Sequence, residues 1–250
     1  MGEESDRDES TADDTGADGT KIDEADLTDH RSPTRVREVY DQIASHFSKT
    51  RAYPWPEVEQ FVAEYASGGL GLDVGCGNGR HTELLVEPCD RVVGVDVSRG
   101  LLAEAHTRLS GSVGDERVAW VQADAAVLPL GEGLVDTAVY VATLHHLPDR
   151  ETRVRSLSEL ARVLAPGGTA LVNAWSTAHD RFDADPEAQA GFDTTIDWTL
   201  PGGERVERFY HIYAPAEFER DLRASGLVVE SVAVSSGNCY ARVGGKRKHP

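Results

Sequence analysis

A doubly wound α/β fold on a mostly parallel sheet is predicted by three observations. Short apolar runs recur at Leu70–Val74, Arg91–Val95, Val118–Gln122, Val135–Val141 and Thr169–Ala174. Helical segments separate most of them, near Arg80–Val86, Arg99–Leu109 and Glu151–Leu164. A glycine-rich turn follows the first run and opens the first of these helices. Strands that alternate with helices are joined by crossovers, and crossovers make parallel sheets.

Each element has its own signal. Val36, Val39, Tyr40, Ile43 and Phe47 recur at helical spacing, as do Val58, Phe61, Val62 and Tyr65 after Pro56. Two helices therefore precede the alternation. Pro166-Gly167-Gly168 breaks the chain before the fifth strand. The stretch Ser176–Tyr213 keeps no sustained period and reads as irregular. Pro215–Ser225 reads as a last helix, Leu227–Val234 as a strand and Cys239–Val243 as a final short strand, which brings the sheet to seven.

The chain has 250 residues and a formal net charge of −18. Residues 1–30 hold 12 acidic and 2 basic side chains and lack apolar periodicity. Residues 1–32 are therefore expected to be a disordered acidic tail. One domain is expected over 33–244, followed by a short basic tail over 245–250. Lysine occurs only at 21, 49, 246 and 248, while arginine is abundant, a balance that suggests a salty, halophilic cytoplasm. At molar salt the Debye length is about 3 Å, so net acidity does not exclude an RNA partner and local arginines decide. No apolar run of about 18 residues is present, which argues against a membrane partner. The acidic start is unlike a secretory leader, so a cytoplasmic protein is expected. Cys76, Cys89 and Cys239 have neither disulfide nor zinc-ligand spacing, and no metal site is expected.

The strongest local signal is Leu72-Asp73-Val74-Gly75-Cys76-Gly77-Asn78-Gly79-Arg80. Glycines at alternate positions let the backbone turn tightly and approach a ligand closely. A dinucleotide fingerprint would need glycine where Arg80 stands. Gly94-Val95-Asp96-Val97-Ser98 closes the second strand, and a carboxylate there can accept both hydroxyls of a ribose. Gln122-Ala123-Asp124-Ala125 ends the third strand. Any one of these has an ordinary reading as turn or helix-cap chemistry.

Together the three pieces, at successive strand ends, resemble the class I S-adenosylmethionine-dependent methyltransferases. The resemblance implies their seven-stranded, Rossmann-like sheet. It also implies S-adenosylmethionine as cofactor. Asp73, Gly75 and Gly77 would hold the methionine moiety, Asp96 the ribose, and Asp124 with the Ala125 backbone the adenine. Further stretches narrow the likeness. Tyr40, Ile43-Ala44-Ser45-His46-Phe47, Thr50-Arg51, Pro54-Trp55-Pro56, His145-His146-Leu147 and Arg208-Phe209-Tyr210-His211 resemble the tRNA wobble-uridine carboxyl methyltransferases. That family esterifies 5-carboxymethyluridine to 5-methoxycarbonylmethyluridine. Asp197-Trp198 departs from it, standing where the family has a Pro-Trp pair, and so does Asn238-Cys239-Tyr240. The resemblance implies tRNA as substrate and a small zinc-binding activator as partner. The activator would cover the strand Val118–Gln122, which should be a sheet edge bearing Trp120 and Val121.

The substrate-side residues suit a carboxylate acceptor. Such a group is ionised at neutral pH and is already a nucleophile. Arg51 and Arg208 are candidates to clamp it bidentately, with His145 and His211 as further catalytic-side contacts. Tyr40, Trp198 and Tyr210 are candidates to stack on a flipped base, and His46 to supply a polar contact. The plain alternatives are packing of Tyr40 on a helix face, a strand-capping His145 and a surface ion pair at Arg51. At the level of function the alternatives are a methyltransferase for a small acid or quinone, or a non-catalytic cofactor-binding subunit.

Overall fold

The computed structural model describes residues 30–112, 114–185 and 188–245. The expected acidic tail up to residue 29 and the basic residues 246–250 lie outside them. Helix α1 (Pro33–Thr50) and helix α2 (Pro56–Tyr65) come first. Then follow β1 (Leu70–Val74), α3 (Thr82–Val86), β2 (Arg91–Asp96), α4 (Arg99–Leu109), β3 (Val118–Gln122) and β4 (Val135–Tyr140). After α5 (Arg150–Val163) come β5 (Leu164–Trp175), β6 (Phe192–Thr199), β7 (Arg205–Ile212), α6 (Pro215–Ala224), β8 (Val228–Ser235) and β9 (Asn238–Gly244).

Seven strands form one sheet in the order β3-β2-β1-β4-β5-β9-β8. The first five are parallel, and β9 and β8 run antiparallel. Strand parity divides the core. Leu72, Val74, Ala138 and Tyr140 face α5 and α6, where Leu157, Leu160, Phe218 and Leu222 are buried. Val92, Val139 and Val141 face the other layer, with Val58, Phe61 and Val62 of α2 and Leu85 of α3. No described helix is long and apolar enough to cross a membrane.

Two sequence expectations are corrected. The break at Pro166-Gly167-Gly168 does not delay β5; the register shifts between Val135 and Thr137 and absorbs it as an irregularity within the strand. The stretch read as irregular contains a β-hairpin, β6 paired antiparallel to β7, as a separate two-stranded sheet. Its turn runs through Gly202 and Gly203, both at positive φ, and is closed by the Leu200 N–H on the Glu204 carbonyl. That left-handed backbone is cheap only for glycine.

Helix α1 bridges this hairpin and the main sheet. Ser32 caps it, accepting from the Arg35 N–H at 3.1 Å, and Pro33 occupies its first turn. His30 and Arg31, counted with the tail in the sequence reading, contact the hairpin through Glu207 and Asp193. Val39 and Ile43 are buried with Trp198 and Val206. Asp41 Oδ1 accepts from Ser98 Oγ at 2.6 Å and from the Gly100 N–H at 2.9 Å, which ties α1 to the start of α4. Ile43→Ala empties a fully buried site between α1 and the hairpin. It is expected to lower the unfolding free energy by about 2–5 kcal/mol, read from urea denaturation.

Candidate active site

The carboxyl ends of β1, β2 and β4 open into a cavity of about 690 Å³. Strand order reverses between β1 and β4, the place where doubly wound sheets bind ligands. The glycine loop forms its floor. Gly75 and Cys76 donate to the Val95 carbonyl at 2.7 and 2.9 Å. Gly75 stands at φ +70°, and a Cβ there would fall 2.0 Å from Thr143 Oγ1. Only glycine lets the loop pass so close to the end of β4.

Asp96 joins this loop to the next. Its Oδ2 accepts from the Gly77 N–H and its Oδ1 from the Ser98 N–H, both at 2.8 Å. Burial pushes the carboxyl up to about 6, and the backbone N–H bonds hold it from rising further. Asp124 lines the same cavity and accepts from the Ala126 N–H at 2.8 Å; Ala125 lies beside it.

These residues fit an adenosyl group bearing a cationic sulfonium. Two carboxylates face the cavity, each with lone pairs left for hydroxyl or amine donors. They do not fit a pyrophosphate, because the Gly77 N–H is already spent on Asp96 and the two anions would repel it. Asp73 does not line the cavity. It lies behind the loop, accepting from Thr82 Oγ1 at 2.7 Å, and burial pushes it up to about 7. The direct contact with the methionine moiety expected of it is therefore corrected to a supporting role.

The wall built by α1, the loop after it and the hairpin is aromatic and cationic. Parity along the hairpin sends Ile196, Trp198, Arg208 and Tyr210 into the cavity. The Arg51 and Arg208 guanidiniums lie 5.1 and 4.8 Å from the Trp198 ring centre. Trp198 Nε1 donates to His46 Nδ1 at 3.0 Å. His145 stacks on Tyr210, and its Nδ1 accepts from the Trp175 N–H at 3.1 Å. Burial holds this imidazole neutral, well below its usual range, so Nε2 carries the proton and is a donor.

His146, missed as a site residue, lines the cavity as well. The Phe209 carbonyl, 2.8 Å from its Nδ1, can only accept, so Nδ1 donates. Nε2 is then the acceptor, and the Tyr40 hydroxyl, 2.7 Å away, donates to it. Burial also pushes His146 down, to about 3, and Tyr40 up. The adjacent His145-His146 pair was the signal available for it. Tyr40, His46, Trp198 and Tyr210 thus all reach the cavity, but Trp198 and Tyr210 are only 6% and 3% exposed, their rings covered by neighbouring side chains.

His211 is not among the lining residues, because it follows Tyr210 and points to the other hairpin face. There it bonds Asp193 at 2.7 Å and Glu217 at 3.2 Å. The catalytic role expected of it is corrected to a structural one, fastening the hairpin to α6. Trp120 likewise turns inward. It packs over Gly94, where a Cβ would lie 2.5 Å from its ring, rather than standing out from the edge strand β3.

A family model described as a methyltransferase domain matches residues 72–172. A putative methyltransferase of Encephalitozoon cuniculi is 33% identical over 181 residues, covering 71% of this chain and 80% of that one. This chain belongs to the class I S-adenosylmethionine-dependent methyltransferases. By family it is an S-adenosylmethionine-dependent methyltransferase, and its cofactor is S-adenosylmethionine. It is also 37% identical over 146 residues to a mouse tRNA (carboxymethyluridine(34)-5-O)-methyltransferase, covering 56% of this chain and 20% of the mouse protein. The chain spans between 20% and 33% of the length of the first curated relatives it matches. Among solved structures, a complex between the Haloferax volcanii Trm112 methyltransferase activator and a putative methyltransferase shares the fold. Its TM-score is 0.62 at 16% identity, over 86% of this chain and 99% of that one.

Two outcomes are expected of this site. If Asp96 holds the ribose as expected, Asp96→Ala would remove a charge-assisted contact worth about 1.5–3 kcal/mol, so calorimetry should show cofactor affinity falling tenfold or more. The His211 cluster should shape stability with pH. Burial alone would lower His211, but the bonds to Asp193 and Glu217 raise it above 6.5. Burial would raise Asp193 and Glu217, but the bond to His211 lowers both. The histidine's contribution is full below its ordinary 6.5 and fades as pH rises through the raised value. The carboxylates' contribution is lost only as pH falls through their lowered values. His211→Gln should therefore flatten the alkaline decline of the urea midpoint.

Proposed function

We propose that this enzyme methylates the carboxylate of 5-carboxymethyluridine at the wobble position of tRNA, giving 5-methoxycarbonylmethyluridine. The observation that carries this reading is the pair of guanidiniums, Arg51 and Arg208, brought to one aromatic ring inside the cofactor cavity. Two cations at the acceptor side select an anionic group, and arginine's planar fork matches a carboxylate. The likeness to the mouse enzyme supports the same acceptor.

Protonation states agree with the chemistry. The cofactor supplies an electrophilic methyl group. An ionised carboxylate is its own nucleophile, so one oxygen–carbon bond would form as the methyl carbon–sulfur bond breaks, S-adenosylhomocysteine would leave, and no proton would move. His145 and His146 are held neutral, and their tautomers are set by the Trp175 N–H and the Phe209 carbonyl. His145 offers a donor and the Tyr40–His146 pair a fixed wall; neither is asked to be a base. Orientation against the methyl group and exclusion of water are what remain for the protein to provide.

A second reading, a small acid or quinone acceptor, is favoured by the aromatic lining of Phe47, Trp175, Trp198 and Tyr210. A neutral quinone carries no anion to match the two cations on this wall.

For partners, tRNA follows from the acceptor. A small activator subunit, zinc-binding as in the related wobble-uridine enzymes, is proposed by analogy with the solved Haloferax volcanii complex. Strand β3 is an edge of the sheet, with a backbone ladder open to another chain.

The assay is methyl transfer to tRNA bearing 5-carboxymethyluridine, compared with the same tRNA bearing uridine. Arg51→Lys keeps the charge but loses the fork, so turnover is expected to drop while cofactor affinity holds. Arg51→Ala should cost on the order of a hundredfold. Weakened tRNA affinity with unchanged saturated turnover would move Arg51 to a phosphate contact. Equal labelling of the two tRNAs would overturn carboxyl methylation.

A further inference from the structure

The loop between α1 and α2 carries an exposed aromatic ring on an unusually well-fixed backbone. Tyr53 is 84% exposed. Around it, Asn78 Nδ2 donates to the Arg51 carbonyl at 2.9 Å and Arg108 Nη2 to the Ala52 carbonyl at 2.7 Å. Arg80 Nη1 donates to the carbonyl of Tyr53 itself at 3.4 Å, and the Trp55 N–H reaches His81 Nε2 at 3.4 Å. Arg80 is buried beneath the loop with its guanidinium over the Trp55 ring. Four side chains, Asn78, Arg80 and His81 of the glycine-loop segment and Arg108 of α4, thus bond four of the five residues from Arg51 to Trp55.

The loop also stands at the mouth of the site. Arg51 and Trp55, two residues to either side of Tyr53, line the cavity. The ring between them turns outward. The aromatic rings inside are already covered: Trp198 by two guanidiniums and Tyr210 by His145. An acceptor nucleotide held within the cavity by its carboxylate would leave the neighbouring base of its strand at this rim. Bases of single-stranded RNA loops are held by stacking on aromatic rings, a contact that tolerates any base. A ring presented on a pre-fixed loop loses little freedom when it is covered.

We infer that Tyr53 is a stacking platform for the nucleobase flanking the modified one in an RNA loop. This rests on the tRNA reading and adds to it a contact outside the chemistry, one that separates a loop of RNA from an isolated nucleoside.

The test uses the full chain, saturated with S-adenosylhomocysteine, and an anticodon stem-loop RNA bearing 5-carboxymethyluridine with 2-aminopurine at one or the other flanking position. On wild-type protein, the fluorescence at one of the two positions is expected to change on binding. Tyr53→Ala should lose that change and bind the RNA on the order of tenfold more weakly. Tyr53→Phe, which keeps the ring, should retain both. Cofactor affinity should be unaltered in both variants, which shows that the loop is intact. If Tyr53→Ala binds the RNA and changes the fluorescence as the wild type does, the platform is overturned and the tRNA reading stands. If the wild type binds the modified stem-loop no better than an unrelated hairpin, the tRNA reading falls, and the platform with it.

Discussion

A single carboxylate holds the cofactor half of this molecule in shape. Asp96 accepts from the glycine loop through one oxygen and from the start of α4 through the other. Three successive features converge on it: the end of β2, the turn after β1, and the helix that Asp41 ties to α1. Burying an anion costs free energy unless it is bonded, and the two N–H groups provide that compensation. The same bonding leaves the carboxylate aimed into the crevice. The group that closes the loop is thus also the one that faces the cavity, so a change at Asp96 alters both the loop and the cavity wall.

The electrostatics of the cavity divide along the fold. Its sheet-end wall carries Asp96 and Asp124, while α1 and the hairpin bring Arg51 and Arg208. Between them His145 and His146 are held neutral by burial, with one ring nitrogen of each fixed by a backbone group. The cavity thus sets carboxylates at the end where a sulfonium would lie and guanidiniums at the other.

The parts legible in the sequence were those with a local pattern. Strands β1 and β3 and helix α4 match the sequence reading end to end, because apolar runs with clear breaks define them. The edge position of β3 followed from the order implied by the family. The hairpin was not legible. The face of β6 that carries buried Ile196 and Trp198 begins with exposed Phe192 and half-buried Thr194, which dilutes the period-two signal. Missing the hairpin meant missing its parity, and parity decides that Tyr210 enters the cavity while His211 leaves it. The cover over Trp198 was equally hidden. It comes from Arg51, far away in sequence, and from Arg208, across the hairpin. No neighbouring-residue pattern encodes such a meeting.

The hairpin is a sheet of its own, inserted between β5 and α6, with its own apolar clusters around Trp198 and around Tyr210. Its strands take no rung in the ladder of the seven-stranded sheet. Lengthening, shortening or repatterning it would therefore leave the parallel strands and their crossovers in register. In such a molecule the wall that carries Trp198 and Arg208 can change while the sheet-end wall stays as it is. An engineer seeking a new acceptor would graft here, keeping the Asp193–His211–Glu217 fastening as the fixed end of the graft.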